Sequence, residues 1–258
     1  MAKQRFNLLT RRARRGAVLV ELLIGLAIGA LVITAAVSAL LMLRHAQGTV
    51  DDQSQLQQRA SLLVRLLGRQ IRAAGSLELD AAGDALRPGF RFVQLDAASA
   101  PDGVPVVQGT AGRLHDSLTL TDAAPPSAAT TRRDCLGQSL RPDRRTSATF
   151  HADATGKLSC RSSSGQNQPL AYGVNAFRVR YRVSDGALVR ELGAEAVQLE
   201  SRWAQVNAVE ICLDLTGELR ADGISQRYED CSGRSATDRE RRHLVIRRLF
   251  QVRIRQAG

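Results

Sequence analysis

Lysine is almost missing from this chain. Lys3 and Lys157 are the only two, so 34 of the 36 basic residues are arginine. Aromatics are scarce as well, ten in 258 residues. They do not interleave with the arginines as a base-stacking platform requires. Nucleic acid is therefore not read as the primary ligand, although a net charge of +11 invites that reading. Cysteine is limited to four residues, too few for a disulfide-dense miniprotein. The four histidines, His45, His115, His151 and His243, are scattered, and no CxxC or His/Cys spacing would hold zinc. GxSxG, P-loop and HExxH patterns are missing, and the polar run Ser162-Ser163-Ser164 has no partner set for a nucleophile. No catalytic residue, metal or cofactor is assigned, and the chain does not read as an enzyme. At 44% hydrophobic and 24% charged, it is neither a disordered polymer nor a polytopic membrane protein, and it is long enough to bury a core.

Acidic residues are missing from the first twenty positions, and that absence organises the charge. Residues 1–16 hold Lys3, Arg5, Arg11, Arg12, Arg14 and Arg15, so +6 sits in this short leader. Over the remaining 242 residues, 30 basic groups face 25 acidic ones, a net of +5. An apolar run of 27 residues follows at 17–43, with Glu21 its one charge. About 20 apolar residues span a bilayer, and a basic flank stays on the cytoplasmic side. The expected topology is a single pass, with the N-terminus cytoplasmic and the bulk of the chain outside.

An ordinary secretory signal has a shorter apolar stretch and a small-residue cleavage site. Ala36-Val37-Ser38 could serve, but the run is long and carries a carboxylate near its start. Thr10-Arg11-Arg12 is a twin-arginine start that Ala13-Arg14-Arg15 does not continue. A plain anchor leaves Glu21 unexplained, because a carboxylate at a membrane-helix centre costs about 2.5–3.5 kcal/mol and intramembrane carboxylates are usually functional.

The local string Gly16-Ala17-Val18-Leu19-Val20-Glu21 joins a basic leader ending in Gly to an apolar run whose fifth residue is Glu. It resembles the class III leader of type IV prepilins and type II secretion pseudopilins. The resemblance implies cleavage by a prepilin peptidase between Gly16 and Ala17, with N-methylation of Ala17, although many members have Phe or Met there. It also implies that Glu21 is the assembly carboxylate, pairing with the new α-amine of a neighbouring subunit. Two charges that are costly alone in an apolar setting neutralise each other when paired. Gly25 and Gly29 form a small-xxx-small pair that permits close helix approach, or else serve as simple apolar filler.

No proline precedes Pro88. Leu56, Ala60, Leu63, Leu67, Ile71 and Ala74 recur at the spacing of one helical face. Gly48 and Gly68 interrupt the pattern at up to ~1 kcal/mol each, and Gly75 is placed as a C-terminal cap. Read as one rod, residues 17–74 would rise about 87 Å at ~1.5 Å per residue.

From Ser76 onward, short β-like runs alternate with Gly, Pro, Asp and Ser. Strands are expected at 90–95, at 118–120, at 177–183 where apolar residues alternate with Arg, at 209–215 and at 244–254. The turn Ser184-Asp185-Gly186 follows the third of these, and residues 122–148 read as a long surface excursion. An antiparallel sheet packed on the long helix is the economical architecture. An exported head would oxidise its cysteines. Of the three connectivities, sequence neighbours favour Cys135 with Cys160 and Cys212 with Cys231.

Asp134-Cys135-Leu136-Gly137, Gly156-Lys157-Leu158-Ser159-Cys160, Leu170-Ala171-Tyr172-Gly173-Val174, Trp203, Val206-Asn207-Ala208-Val209 and the ending at 248–255 are laid out as in PilW-type minor pilins. Pseudopilin J of the type II secretion system is a close cousin. The resemblance implies an α+β, pilin-like fold in which a long N-terminal helix, half membrane-spanning and half amphipathic, packs on an antiparallel β-sheet head. It divides the chain into a leader at 1–16, a membrane or filament-core half-helix at 17–43, an amphipathic half at 44–75 and a periplasmic or extracellular head at 76–258. The partners it implies are the prepilin peptidase, the inner membrane, other minor pilins with the major pilin, and a tip adhesin. Its setting would be the bacterial inner membrane, then the pilus.

Overall fold

The computed structural model describes residues 3–75, 79–82, 89–92, 105–123, 133–139, 145–185, 188–220 and 225–252. Within these, the side chains at 3–17, 45–46, 79–82, 89–92, 122–123, 145, 185 and 219–220 lie outside the description. The expected plan of a long N-terminal helix followed by antiparallel β-structure is present. Helix α1 runs Lys3–Ala73, so it begins inside the basic leader rather than at Ala17. The leader is rich in Arg, Leu and Ala, all good helix formers, and nothing in it stops a helix. Gly75 ends α1 in the left-handed conformation with φ +66°.

The chain divides into two compact units, Met1–Asp51 and Asp52–Gly258. In the second unit, all six residues of the expected apolar face, Leu56, Ala60, Leu63, Leu67, Ile71 and Ala74, are 2% exposed or less. Asp52, also buried, accepts the Glu218 N–H at 3.0 Å through Oδ1, and Arg59 pairs with Glu218. Gly68 is not a blemish. A Cβ there would collide with the ring of Phe250, so glycine lets the strand that carries Phe250 lie close to the helix.

A hairpin, β1 (Leu79–Ala82) and β2 (Gly89–Phe92), comes next. The expected strand at 90–95 is seen only this far, since 93–95 lie outside the described residues. Five strands then form one antiparallel meander: β3 (Val107–Thr110), β4 (Ser117–Ala123), β5 (Arg145–Ala152), β6 (Leu158–Ser162) and β7 (Asn167–Ala171). The second sheet contains β8 (Val174–Asp185), β9 (Leu188–Leu192), β10 (Val206–Arg220) and β13 (Arg241–Gln251) in the order β13-β10-β8-β9, all antiparallel. Between β9 and β10 lies a short helix, α2 (Ala194–Leu199), and a hairpin of β11 (Gln226–Glu229) and β12 (Ser235–Asp238) precedes β13.

Among the described residues two larger sheets and two two-stranded hairpins therefore stand where one sheet was expected. The described parts of 122–148 are not simply an excursion, while 124–132 and 140–144 lie outside the described residues. Ala123 pairs with Arg145 and Leu120 with Ala148, while Cys135 within the segment is buried. The core residues of this sheet are Val107, Leu118, Leu120, Phe150, Leu158 and Cys160, and the alternate positions are Thr, Ser, His and Arg. Pro169 sits on the edge strand β7, where no ladder donor is lost. The second sheet turns Phe177, Val179, Tyr181, Val183, Val209, Ile211, Leu213, Leu215 and Phe250 into the same core as the α1 face. Ile254, expected on the last strand, lies outside the described residues.

Three hairpin turns, at 134–138, 153–157 and 230–234, share one pattern: Asp, two residues, Gly, then a polar residue. In each, the Asp Oδ1 accepts the N–H groups two and four residues on. The glycine takes a φ of +75° to +80° and returns its N–H to the Asp carbonyl. In two of the turns the bonds hold the carboxyl below its ordinary range: Asp153 mainly through the Thr155 hydroxyl and then the Lys157 N–H, Asp230 mainly through the Arg234 N–H. Two of the turns carry a cysteine in second place. Cys135 is joined to Cys160 on β6 and Cys231 to Cys212 on β10, with Cα–Cα distances of 6.4 and 5.7 Å.

Tyr181 meets Trp203 edge-on at 5.0 Å, and its hydroxyl is buried with no hydrogen-bond partner among the described residues. A Cβ added at Gly109 would collide with that hydroxyl and sit 2.5 Å from the Ser117 carbonyl oxygen. Gly109→Ala is accordingly expected to cost about 1–3 kcal/mol, the usual range for overpacking. Tyr181→Phe alone is expected to be nearly neutral, because it removes an unsatisfied polar atom. Combining the two should recover part of the Gly109→Ala loss, read as a non-additive shift in the thermal midpoint.

Candidate assembly helix

Residues 18–43 are helical throughout and, apart from the half-buried Gly29, exposed along their length. Leu31 is 70% exposed and Met42 77%. Nothing among the described residues covers this surface, and the helix is long and apolar enough to cross a membrane. Such a surface cannot remain in water. At about 25 cal/mol per Å² of apolar area, it requires lipid or other apolar helices. Contiguous apolar patches beyond a few hundred Å² mark interaction or membrane sites.

Its two described hydroxyls do not alter that character. Thr34 Oγ1 donates to the Leu31 carbonyl at 2.8 Å and Ser38 Oγ to the Thr34 carbonyl at 2.7 Å. Both polar groups are thus absorbed by the helix's own backbone, which lets Thr and Ser sit in an apolar helix at a slight cost to it. Glu21 is different. It is exposed and, among the described residues, has no ion-pair or hydrogen-bond partner.

Glu21, Gly25 and Gly29 follow one another at steps of four, so they share one side of α1. An added Cβ would meet nothing within 4 Å at either glycine. The two glycines form a shallow strip leading to the carboxylate, a relation not noticed in the sequence although the i, i+4, i+8 spacing was there to be read. Gly16 and Ala17 lie within α1 by backbone, but their side chains are outside the description, so the expected cleavage site has no further structural account.

The expected site residues fall into separate groups. Glu21, Gly25 and Gly29 belong to the first unit. Cys135, Cys160, Cys212 and Cys231 belong to the second, where their two disulfides fasten turns. Among the described residues, no three His, Cys, Asp or Glu side chains are placed to hold a metal ion. The feature missed in the sequence is a buried cluster, His243 with Asp214 and Asp238, whose members are spread over 30 positions with no local motif.

No family model matches this sequence, and no curated protein matches it. Among solved structures, a type IV-like pilin from Thermus thermophilus is similar at 14% identity, over 76% of this chain and 96% of that one, with a TM-score of 0.44. A likeness of that degree carries no conclusion about this chain.

Proposed function

We propose that this protein is a membrane-anchored, pilin-like assembly subunit: a minor pilin of the PilW type acting in type IV pilus assembly with other minor pilins. The observation that carries this reading is the single carboxylate, Glu21, on an otherwise apolar and almost entirely exposed helical surface, five residues after the Gly16 that ends the basic leader. A plain anchor has no use for that carboxylate, and a secretory signal would be removed together with it. The leader at 1–16 is cut away by a prepilin peptidase, and Ala17 becomes the new N-terminus. Residues 17–43 reside in the inner membrane and then in the filament core, and the β-rich head faces outward and selects neighbours. The two turn-fastening disulfides favour an exported, oxidising setting for the head.

The function is recognition and assembly. The positive α-amine of Ala17 on one subunit and Glu21 on the next neutralise each other in an apolar setting, which supplies register as well as attraction. The expected result is direct. Intact mass spectrometry of the protein from its native membrane gives a chain beginning at Ala17, with or without a methyl group. A chain beginning at Ala39 would identify an ordinary signal peptide and remove the reading, as would an uncut Met1.

A further inference from the structure

The β11–β12 hairpin lies on the face of the second sheet that points away from the helix, and it is fastened there at two ends. At its tip, Cys231 is bonded to Cys212 on β10. At its base the fastening is polar. The His243 ring, 7% exposed, places Nδ1 2.8 Å from Asp214 Oδ1 and Nε2 2.9 Å from Asp238 Oδ2. Tyr228 of β11 stacks on the imidazole with centroids 4.1 Å apart and planes 12° from parallel. Gln226 binds the His243 backbone from both sides: its Nε2 donates to the carbonyl at 3.0 Å and its Oε1 accepts the N–H at 2.8 Å.

The geometry requires a particular protonation state. A neutral imidazole has one N–H, so between two carboxylates one of its nitrogens must face an oxygen lone pair to lone pair at under 3 Å. Only an imidazolium donates to both. We propose that His243 is a proton-operated latch on the β11–β12 hairpin, closed when its ring is charged and released at the Asp238 end when it is neutral.

The identity of the bond that breaks follows from the other partners. Asp214 is 1% exposed and its second oxygen accepts from Asn175 Nδ2 at 2.7 Å, so losing His243 would strand a buried carboxylate. Asp238 is half-buried and also accepts the N–H groups of Glu240 and Arg241. The neutral ring therefore keeps its proton on Nδ1 toward Asp214 and releases Asp238.

The charged and titratable groups around the ring are Asp214 on β10, Asp238 at the end of β12 and Tyr228 on β11, with Asp230 in the turn beyond. Arg247, on the same strand as His243, is already engaged by Glu229 and the Asp230 carbonyl. Burial works against charging His243, but the hydrogen bonds that its ring donates to Asp214 and Asp238 outweigh it and raise its pKa above the ordinary 6.5. The Glu240 N–H, then His243, hold Asp238 down at about 2. The sign of the linkage follows. The histidine's contribution is complete below 6.5 and is lost as pH rises through its raised value. The Asp238 contribution is complete above 3.8 and is lost as pH falls through about 2. The latch is thus shut in mild acid and opens on the alkaline side, while the disulfide keeps the tip in place and the opening local.

The test uses the full chain in detergent micelles between pH 5 and 9. The His243 ring is followed by nitrogen-15 NMR, and protection factors of the hairpin amides by hydrogen exchange. The ring is expected to titrate above 6.5. Protection at residues 235–238 should be flat below that midpoint and fall at least tenfold across it, with β10 amides unchanged. Asp238→Asn should move the midpoint down. A ring that titrates at or below 6.5, or hairpin protection that stays flat across the titration, would overturn the latch.

Discussion

Glu21→Ala is expected to cut incorporation of this subunit into filaments at least tenfold while leaving the head folded. The substitution makes the apolar helix more apolar, so membrane insertion becomes easier, not harder; a loss cannot be blamed on failed insertion. What disappears, on the proposed pairing, is the counter-charge for a neighbouring α-amine. Removing one member of a desolvated ion pair strands the other, at about 3–5 kcal/mol, more than two orders of magnitude in a binding equilibrium. Glu21→Gln, with the shape kept and the charge removed, should fail nearly as badly. Glu21→Asp should assemble weakly. The measurement compares subunit in sheared surface filaments with subunit in the membrane, beside near-UV dichroism of the purified chain. Glu21→Ala assembling like the parent would remove the pairing and with it the main support for a pilin-like role. The open strip of Gly25 and Gly29 gives a milder companion. Gly29→Leu would fill space that is open in this chain, so it should leave folding unchanged and act only when another helix is present.

The helix was readable because every residue of its apolar face obeys a local rule. Leu56 through Ala74 step by three or four, and all six are buried. The disulfide pairing was a preference for sequence neighbours among three open connectivities, and the structure joins those neighbours, with separations of 25 and 19 residues. The meander of β5 to β7 was not readable. Several of its buried positions are small or polar, Ala148, Ser159, Cys160, Ser162 and Ala171, so the hydrophobic contrast is weak, and Gly156, Gly165 and Gly173 interrupt the sequence. Gly68 was misjudged because a propensity scale sees the cost to a helix and not the Phe250 ring that occupies the space. The polar joints were invisible for a deeper reason. Asp116 with Arg178, and Asp214 with His243, are 62 and 29 residues apart, and nothing in either local string marks a partner that only sheet register brings near.

Asp116→Ala is expected to be the most damaging single change in the head, at about 3–5 kcal/mol. Asp116 sits where the two sheets meet. Its own N–H donates to the Phe177 carbonyl at 2.7 Å, and the Phe177 N–H returns to Leu114 at 3.3 Å. Its carboxylate, 6% exposed, gathers three further donors: Gly112 N–H and Arg178 Nη1 on Oδ1, both at 3.0 Å, and Val179 N–H on Oδ2 at 2.8 Å. One side chain thus ties the β3–β4 connection to β8. Alanine keeps the main-chain bridge but leaves two backbone donors and a guanidinium facing an apolar methyl. For a unit of about 200 residues, each kcal/mol moves the thermal midpoint by about 2–4 °C, so a fall on the order of 10 °C is expected. Asn keeps an acceptor but turns its amide toward at least one donor, so it should lose less than Ala and still more than a surface change. The effect should persist in large part in 0.5 M salt, because the Asp116 carboxylate is buried and two of its donors are backbone N–H groups. Removing the exposed Arg190–Glu200 pair should cost little and lose even that on adding salt. Thermal melts of the full chain in detergent, with both disulfides intact, make the comparison. A loss under 1 kcal/mol at Asp116 would mean that the sheets are held together by their shared apolar core alone.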